Sequence, residues 1–478
     1  MKEIEAHLYD KLKKYAETDY YPYHMPGHKR RLCGALPQQI LKLDITEIDG
    51  FDNLHQPEEI LRDLQEKAAR LYGAEESFYL VNGSTCGILA AVSAALPVGG
   101  HILMARNCHK SAYHAAYLKN LTVSYLYPAI MKEYDINDAI TPEQVEVALN
   151  SEPNIDAVLL VSPTYEGRIA DVERIAQIVH ERGIPLIVDE AHGAHLGWNE
   201  KLSANSCQAG ADLVIHSVHK TLPAMTQTAL LHVNGNLIHR DRLRRFLHIY
   251  QTSSPSYVLM ASIDNALHLM EKQGRELLDG FCMRYFRMMN RLSSCTCLEF
   301  VAPERGRQDI GKFVISTKRF GLSGQRLYDI LLEEYHLQME MAAENYCLAM
   351  FTVGDEEEAY ERMTAALLDI DAQMSSGVLK PDVTSKIQYS SLPEKVSESV
   401  ALSDAWDMPV ELVDLQEAIG RYVGEFIYLY PPGIPLLVPG EILTDKMYRQ
   451  IISYLEQQLK VQGVQENCNV RKIRVLRR

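Results

Sequence analysis

Lys220 lies in "HSVHKTLPAMTQTA" (216–229), directly behind the apolar run "AGADLVI". A lysine at the end of an apolar strand loses hydration unless its amine is neutralised, paired or used covalently, and a desolvated amine is a nucleophile. Asp189 ends another apolar run, "PLIVD", with His192 and His195 just beyond it. A carboxylate at such a place must meet a cation or a proton donor. His109 stands in "RNCHKS" after "HILMA", and Ser84 and Thr85 stand in "NGSTCG" after "SFYLV", at the entry to "ILAAVSAAL". A glycine, two hydroxyls and the free N–H groups of a helix start make a phosphate cradle without a Walker lysine; taken alone, they read equally as an ordinary Ser/Thr cap. Ser217 and His219 flank the lysine itself.

These side chains need strands to carry them. Between about 75 and 235 the runs "SFYLV", "HILMA", "TVSYLY", "AVLLVSP", "PLIVDEA", "LVIHSVHK" and "TALLHVNG" alternate with helical stretches such as "DVERIAQIVHERG". That alternation describes βαβ units and a large, mostly parallel sheet buried on both faces, which binds its ligand at the carboxyl ends of its strands. Four strand ends then offer a phosphate cradle, an imidazole, a buried carboxylate and a lysine. One cofactor uses all four, pyridoxal 5'-phosphate: its aldehyde takes a lysine, its phosphate takes N–H groups and hydroxyls, its ring nitrogen takes an acid and its ring face takes a flat group. The candidate cofactor-binding residues are Ser84, Thr85, His109, Asp189, His192, Ser217, His219 and Lys220, with Lys220, His219 and Asp189 as the catalytic candidates.

From about 265 a long helix is expected over "NALHLMEKQGRELLDGFCMRYFRMMNRLSS", then a smaller α/β layer over "LEFVAP", "KFVIST", "GLSGQRLYDILLEEY" and "YCLAMFTVG". A polar stretch leads to "EFIYLYPPGIPLLVPGEIL", where proline and glycine density predicts a shaped loop without regular structure. The expected division is an arm over 1–30, a large cofactor-binding domain over 31–270, a connecting helix with the small domain over 271–375, and a C-terminal domain over 376–478. Lysine plus arginine number 48 against 63 acidic residues, a net charge of −15 that argues against a nucleic-acid binder. No run has signal-peptide or membrane-spanning character, and nine cysteines are scattered without a CxxC pair, as for reduced thiols in the cytoplasm. Cys295 and Cys297 are expected on one buried face of a strand.

The motifs "HMPGHK" (24–29), "GFDNLHQPEEIL" (50–61), "VNGSTCG" (81–87), "RNCHKS" (106–111), "SPTYEGRIADV" (162–172), "VDEAHGAH" (188–195), "SVHKTLPAMTQ" (217–227), "SSPSY" (253–257) and "YPPGIPLLVPGE" (430–441) run nearly the whole chain. In this order they resemble the bacterial Orn/Lys/Arg decarboxylases. The resemblance implies the aspartate-aminotransferase-like fold (fold type I) and decarboxylation of lysine, arginine or ornithine. It also implies that Lys220 makes the Schiff base, Asp189 pairs with the ring nitrogen, His109 stacks on the ring, and Ser84, Thr85, Ser217 and His219 hold the phosphate. The "QTSSPSY" loop would approach a neighbouring subunit's phosphate, so a homodimer is the expected minimal unit. A start at the "HMPGHK" region implies a short form without the family's N-terminal wing domain. Glu441, Asp49 and Asp52 are candidates for the substrate's cationic end. On the same fold an aminotransferase or a carbon–sulfur lyase stays open. A metal hydrolase using His192 and His195 fits less well, because it leaves Lys220 and the cradle unused.

Overall fold

A computed structural model describes residues 8–18, 25, 26, 29, 38–382, 399–467 and 470–477. Most of the expected 1–30 arm and of "HMPGHK", together with Cys33, Cys468 and residues 383–398 of the polar stretch, lie outside the described residues. The chain divides into two units, residues 1–97 with 172–279, and residues 98–171 with 280–478.

The first unit is built on four strands in the spatial order Glu76–Leu80, Ala229–Val233, Leu213–Ser217 and Leu186–Asp189. Leu186–Asp189 runs parallel to Leu213–Ser217, with Asp189 level with Ile215. Ala229–Val233 runs antiparallel to both its neighbours, so that Ser217 pairs with Ala229 and Ala229 with Leu80. This register brings the end of Glu76–Leu80, Asp189, Ser217 and the start of Ala229–Val233 to one edge. Leu213–Ser217 and Ala229–Val233 are buried at every position, which is why they read as continuous apolar runs rather than alternating ones. The helix Gly83–Ala95 covers the face that carries Leu80 and Ile215. Its Gly87 makes that approach possible, because a Cβ there would lie 2.8 Å from Leu80 Cδ1 and 3.0 Å from Ile215 Cγ2.

In the second unit Ala157–Val161, His101–Ala105 and Thr122–Leu126 lie side by side in that order, all parallel. The smaller layer is a four-stranded antiparallel sheet, Glu299–Phe300, Lys312–Ser316, Tyr346–Met350 and Met341–Ala342, with the helix Gly324–Glu333 against its last two strands. A further sheet runs in the order Val410–Asp414, Val470–Leu476 and Gln465–Asn467, the middle strand antiparallel to both neighbours. The long helix runs over Tyr257–Leu292, starting directly after "SSPS" and carrying the chain from the first unit into the second.

Two expectations need correction. The "EFIYLYPPGIPLLVPGEIL" segment is not free of regular structure: Ile427–Leu429 pairs antiparallel with both Pro435–Leu437 and Val461–Gln462. Pro435 opens its strand, where a missing N–H is tolerated, and residues 430–434 and 438–440 around it are irregular. Cys295 and Cys297 are not on a strand and are only half-buried. They lie in the turn between Tyr257–Leu292 and Glu299–Phe300, whose backbone donors at Thr296, Cys297 and Leu298 are taken up by the Asp371 carboxylate at 2.9, 2.8 and 2.8 Å. Among the described residues no helix is long and apolar enough to cross a membrane.

Candidate active site

The edge of the first unit gathers the chemistry. Strand alternation puts Asp189, Ile215 and Ser217 on the face covered by Gly83–Ala95, and Glu190 and His216 on the other. The helix opens at Gly83, in the left-handed region with φ +74°, and the Gly83 N–H donates to the Gln227 carbonyl at 2.9 Å. Ser84 and Thr85 occupy the first turn, where the N–H groups of a helix start favour an anion. The "QTSSPSY" loop anchors to the residues before this helix within its own chain: Gln251 Oε1 accepts from the Val81 N–H at 2.9 Å, and the Thr252 N–H donates to Asn82 Oδ1 at 3.2 Å.

Lys220 sits in the short helical turn Val218–Thr221 that follows Ser217. Its Nζ lies 3.1 Å from His192 Nε2. Asp189 is 8% exposed, and its Oδ1 accepts from the Ala191 N–H at 3.1 Å. Burial pushes the Asp189 carboxyl above its ordinary range, against the opposing charge of Lys220 and the Ala191 N–H. His219 Nδ1 lies 2.8 Å from the Thr228 carbonyl, so Nδ1 carries the hydrogen; burial and the Lys220 charge lower the pKa of this imidazole, against the raising effect of that bond. The Ser217 hydroxyl is wholly buried and has no hydrogen-bond partner among the described residues. A buried hydroxyl without a partner suits an anionic oxygen as acceptor. His192 and His195 are both buried, but among the described residues no group of three His, Cys, Asp or Glu side chains converges as a metal site.

The remaining candidates have local partners. In the second unit His109 caps the helix Lys110–Leu118, its Nδ1 accepting from the Ser111 N–H at 3.2 Å. Gly433, at φ +82°, packs on that imidazole; a Cβ there would lie 3.2 Å from His109 Cδ2. Glu441 is buried, and its two oxygens lie 2.9 and 3.3 Å from one guanidinium nitrogen of Arg106. Glu441 also accepts from the Val438 N–H at 2.9 Å, and Arg106 donates to the Pro435 carbonyl at 2.7 Å. Asp52 accepts from the N–H groups of Asn53, Glu58, Glu59 and Leu61 at 2.8 to 3.0 Å. Partial burial would raise its carboxyl pKa, but those four donors outweigh it and hold the group below the ordinary range. It organises the entry to the helix Ile60–Tyr72, and Asp49 is exposed in the same segment.

Arg106, Glu190 and His216 were not among the residues singled out in the sequence. Arg106 follows "HILMA" as Lys220 follows its own apolar run, and the rule that buried charges need partners, applied to it, would have called for an acid elsewhere in the chain.

The sequence profile of the Orn/Lys/Arg decarboxylase major domain matches residues 6–310, and that of the family's C-terminal domain matches 382–464. The chain is 33% identical to the arginine decarboxylase of Bacillus subtilis (strain 168) over 490 residues, spanning 100% of this chain and 99% of that one. Among solved structures it resembles the lysine decarboxylase LdcF of Francisella novicida, with a TM-score of 0.82 at 18% identity over 98% of this chain and 81% of that one. It also resembles the ureidoglycine-glyoxylate aminotransferase of Bacillus subtilis, with a TM-score of 0.56 at 12% identity over 71% of this chain and 89% of that one. These two structures carry the fold, a type I pyridoxal-phosphate architecture with a large, mostly parallel sheet.

Proposed function

Because the chain belongs to the Orn/Lys/Arg decarboxylase family, we propose that it is a decarboxylase that removes the α-carboxyl group of a basic amino acid as carbon dioxide, with pyridoxal 5'-phosphate as cofactor. The observation that carries this reading is the single edge on which the Lys220 amine, the buried Asp189 carboxylate and the unpartnered Ser217 hydroxyl meet beside a helix start. The residues fit the cofactor: Lys220 would hold its aldehyde carbon, Asp189 the proton on its ring nitrogen, and the start of Gly83–Ala95 with Ser84, Thr85 and Ser217 its phosphate. When bound, the cofactor supplies an electron sink for the pair released as the Cα–carboxylate bond breaks.

The chain's own groups do the proton work. His192 Nε2, 3.1 Å from Lys220 Nζ, takes up a hydrogen bond from the amine and holds it at the strand end. His219 spends its Nδ1 hydrogen on Thr228, and Lys220, at the strand end, is the proposed donor of the proton that returns to Cα. Asp189 stays next to a cation in a buried setting, where its charge acts at short range without screening.

Arginine is the proposed substrate, supported by the full-length resemblance to the Bacillus subtilis arginine decarboxylase. Glu441 is proposed as the counter-charge of Arg106 rather than of the substrate. The cytoplasm is proposed as the compartment, supported by nine cysteines scattered without a CxxC pair, and a homodimer as the minimal unit. The test is the visible spectrum of the purified protein with added cofactor, then carbon dioxide release from arginine, lysine and ornithine, each beside Lys220→Ala. A cofactor band lost in the variant and release from arginine ahead of the others are expected. A band without release from any of the three overturns the decarboxylase reading.

A further inference from the structure

On the face of the first unit's sheet opposite Asp189 and Ser217, a chain of buried polar groups runs across three strands. Ser77 Oγ lies 2.6 Å from His232 Nδ1, His232 Nε2 lies 3.0 Å from His216 Nδ1, and His216 Nε2 lies 2.6 Å from Glu190 Oε2. Glu190 further accepts from the Ser206 N–H at 3.0 Å and from the Ser206 hydroxyl at 2.8 Å. The side chains of Ser77, His232, His216 and Glu190 are all buried, and the Tyr72 ring lies over both imidazoles with centroids 4.7 Å away in each case.

Neutral imidazole has one donor and one acceptor nitrogen, so the three bonds from Ser77 to Glu190 must all point the same way. With Glu190 ionised, Ser77 donates to His232, His232 to His216 and His216 to the carboxylate. With Glu190 protonated, its O–H donates to His216 and every bond is reversed. One proton therefore sets the polarity of the whole chain. Burial favours that proton: it pushes Glu190 up to about 8 and His216 down to about 3, with His232 well below its ordinary value. Among the described residues, the titratable groups that touch Glu190 or act on it electrostatically are Asp189, His195, His216, Tyr72 and Cys207.

Glu190 is tied to the site by covalent adjacency and by packing. It follows Asp189 directly, its carbonyl accepts from the Gly193 N–H at 2.8 Å, and its Cγ occupies the space where a Gly193 Cβ would come within 2.5 Å. The Ala191 carbonyl in the same turn accepts from the Ser217 N–H at 3.3 Å. Pinning the Glu190 side chain to Ser206 and His216 thus pins the turn that presents Asp189 on one side and His192 to Lys220 on the other.

We propose that Glu190, backed by the His216–His232–Ser77 chain, is a positioning residue for Asp189 and that its single proton sets the charge against which Asp189 ionises. This rests on the assignment of Asp189 to the cofactor's ring nitrogen. With the proton on Glu190, Asp189 ionises against a neutral chain; with it gone, two successive carboxylates repel across the strand end.

The experiment compares wild type, Glu190→Gln and His216→Gln between pH 6 and 9, reading the dissociation constant of added pyridoxal phosphate. It is paired with thermal unfolding of each apoprotein over pH 5 to 9. Glutamine at 190 still accepts from Ser206 and donates to His216, so the fold is retained while the titration is removed. Over wild type, cofactor affinity is expected to weaken between pH 7 and 9 by about tenfold more than in Glu190→Gln, the equivalent of one pK unit at Asp189. His216→Gln still offers the carboxylate a donor but breaks the chain, and the same limb should move to lower pH. Apoprotein unfolding gives a second sign: Glu190 has a raised folded-state pKa, so its contribution is complete below about 4.5 and lost as pH rises through about 8. The melting temperature of wild type should therefore fall relative to Glu190→Gln across that window. Superimposable pH profiles of wild type and Glu190→Gln in both readouts overturn the proposal. Failure of wild type to bind the cofactor would instead overturn the functional reading, and the apoprotein comparison would still decide where the proton resides.

Discussion

Changing Glu441 to glutamine separates a structural ion pair from a substrate ligand. Arg106 is fully buried and Glu441 is 4% exposed. The guanidinium is held by both Glu441 oxygens and by the carbonyls of Pro435 and Leu436, and its Nε has no partner among the described residues. Glutamine keeps the shape and can still accept from Val438, but it leaves the Arg106 charge without an anion in a dry environment. Breaking a buried pair from one side costs about 3–5 kcal/mol. At about 2 °C per kcal/mol for a cooperative unit of this size, the melting temperature should fall by about 6–10 °C. The assay is thermal unfolding of Glu441→Gln, Arg106→Met and the double variant, with steady-state kinetics on arginine alongside. The double variant should lose less than the sum of the singles, since it no longer buries an unpaired charge. A Glu441→Gln protein that melts with wild type while its KM for arginine rises tenfold or more would refute the structural assignment and return Glu441 to the substrate.

Gly87→Ala should lower stability by about 1–3 kcal/mol, because the new methyl meets Leu80 and Ile215 at 2.8 and 3.0 Å and the helix must back away from the strands; a chemical denaturation midpoint equal to wild type would show that the contact relaxes freely. Gly433→Ala combines a left-handed backbone with a Cβ 3.2 Å from the His109 ring. It should cost about 1–3 kcal/mol and loosen the cap of Lys110–Leu118, read as faster amide exchange in that helix's first turn. Unchanged exchange there would mean that the turn, not the imidazole, gives way.

The seven apolar runs read between 75 and 235 are all strands, and Lys220, Asp189 and Ser217 do follow them at one edge. These elements were legible because a strand buried on both faces must be apolar throughout, and a charge at its end stands out against that background. The hairpin at Ile427–Leu429 was not legible, because proline argues against strands in general while the ladder needs an N–H only at particular positions, and Pro435 occupies one that does not. The turn at Cys295–Cys297 was hidden for a similar reason. Two apolar residues with a period of two suggest a strand, but a distant carboxylate, Asp371, takes the backbone donors instead.

Sequence by itself determined which residues lie at strand ends, and hence that a lysine, a buried acid and a helix start would share one rim. Only the tertiary structure decided what each charge is used for. Glu441 and Arg106 stand 335 positions apart and neutralise each other in the core, and Glu190, next in the chain to Asp189, faces the opposite side of the sheet toward His216. The physical reason is that alternation along a strand is local and can be counted, whereas the partner of a buried charge is chosen by packing between segments distant in the chain, which no spacing rule contains.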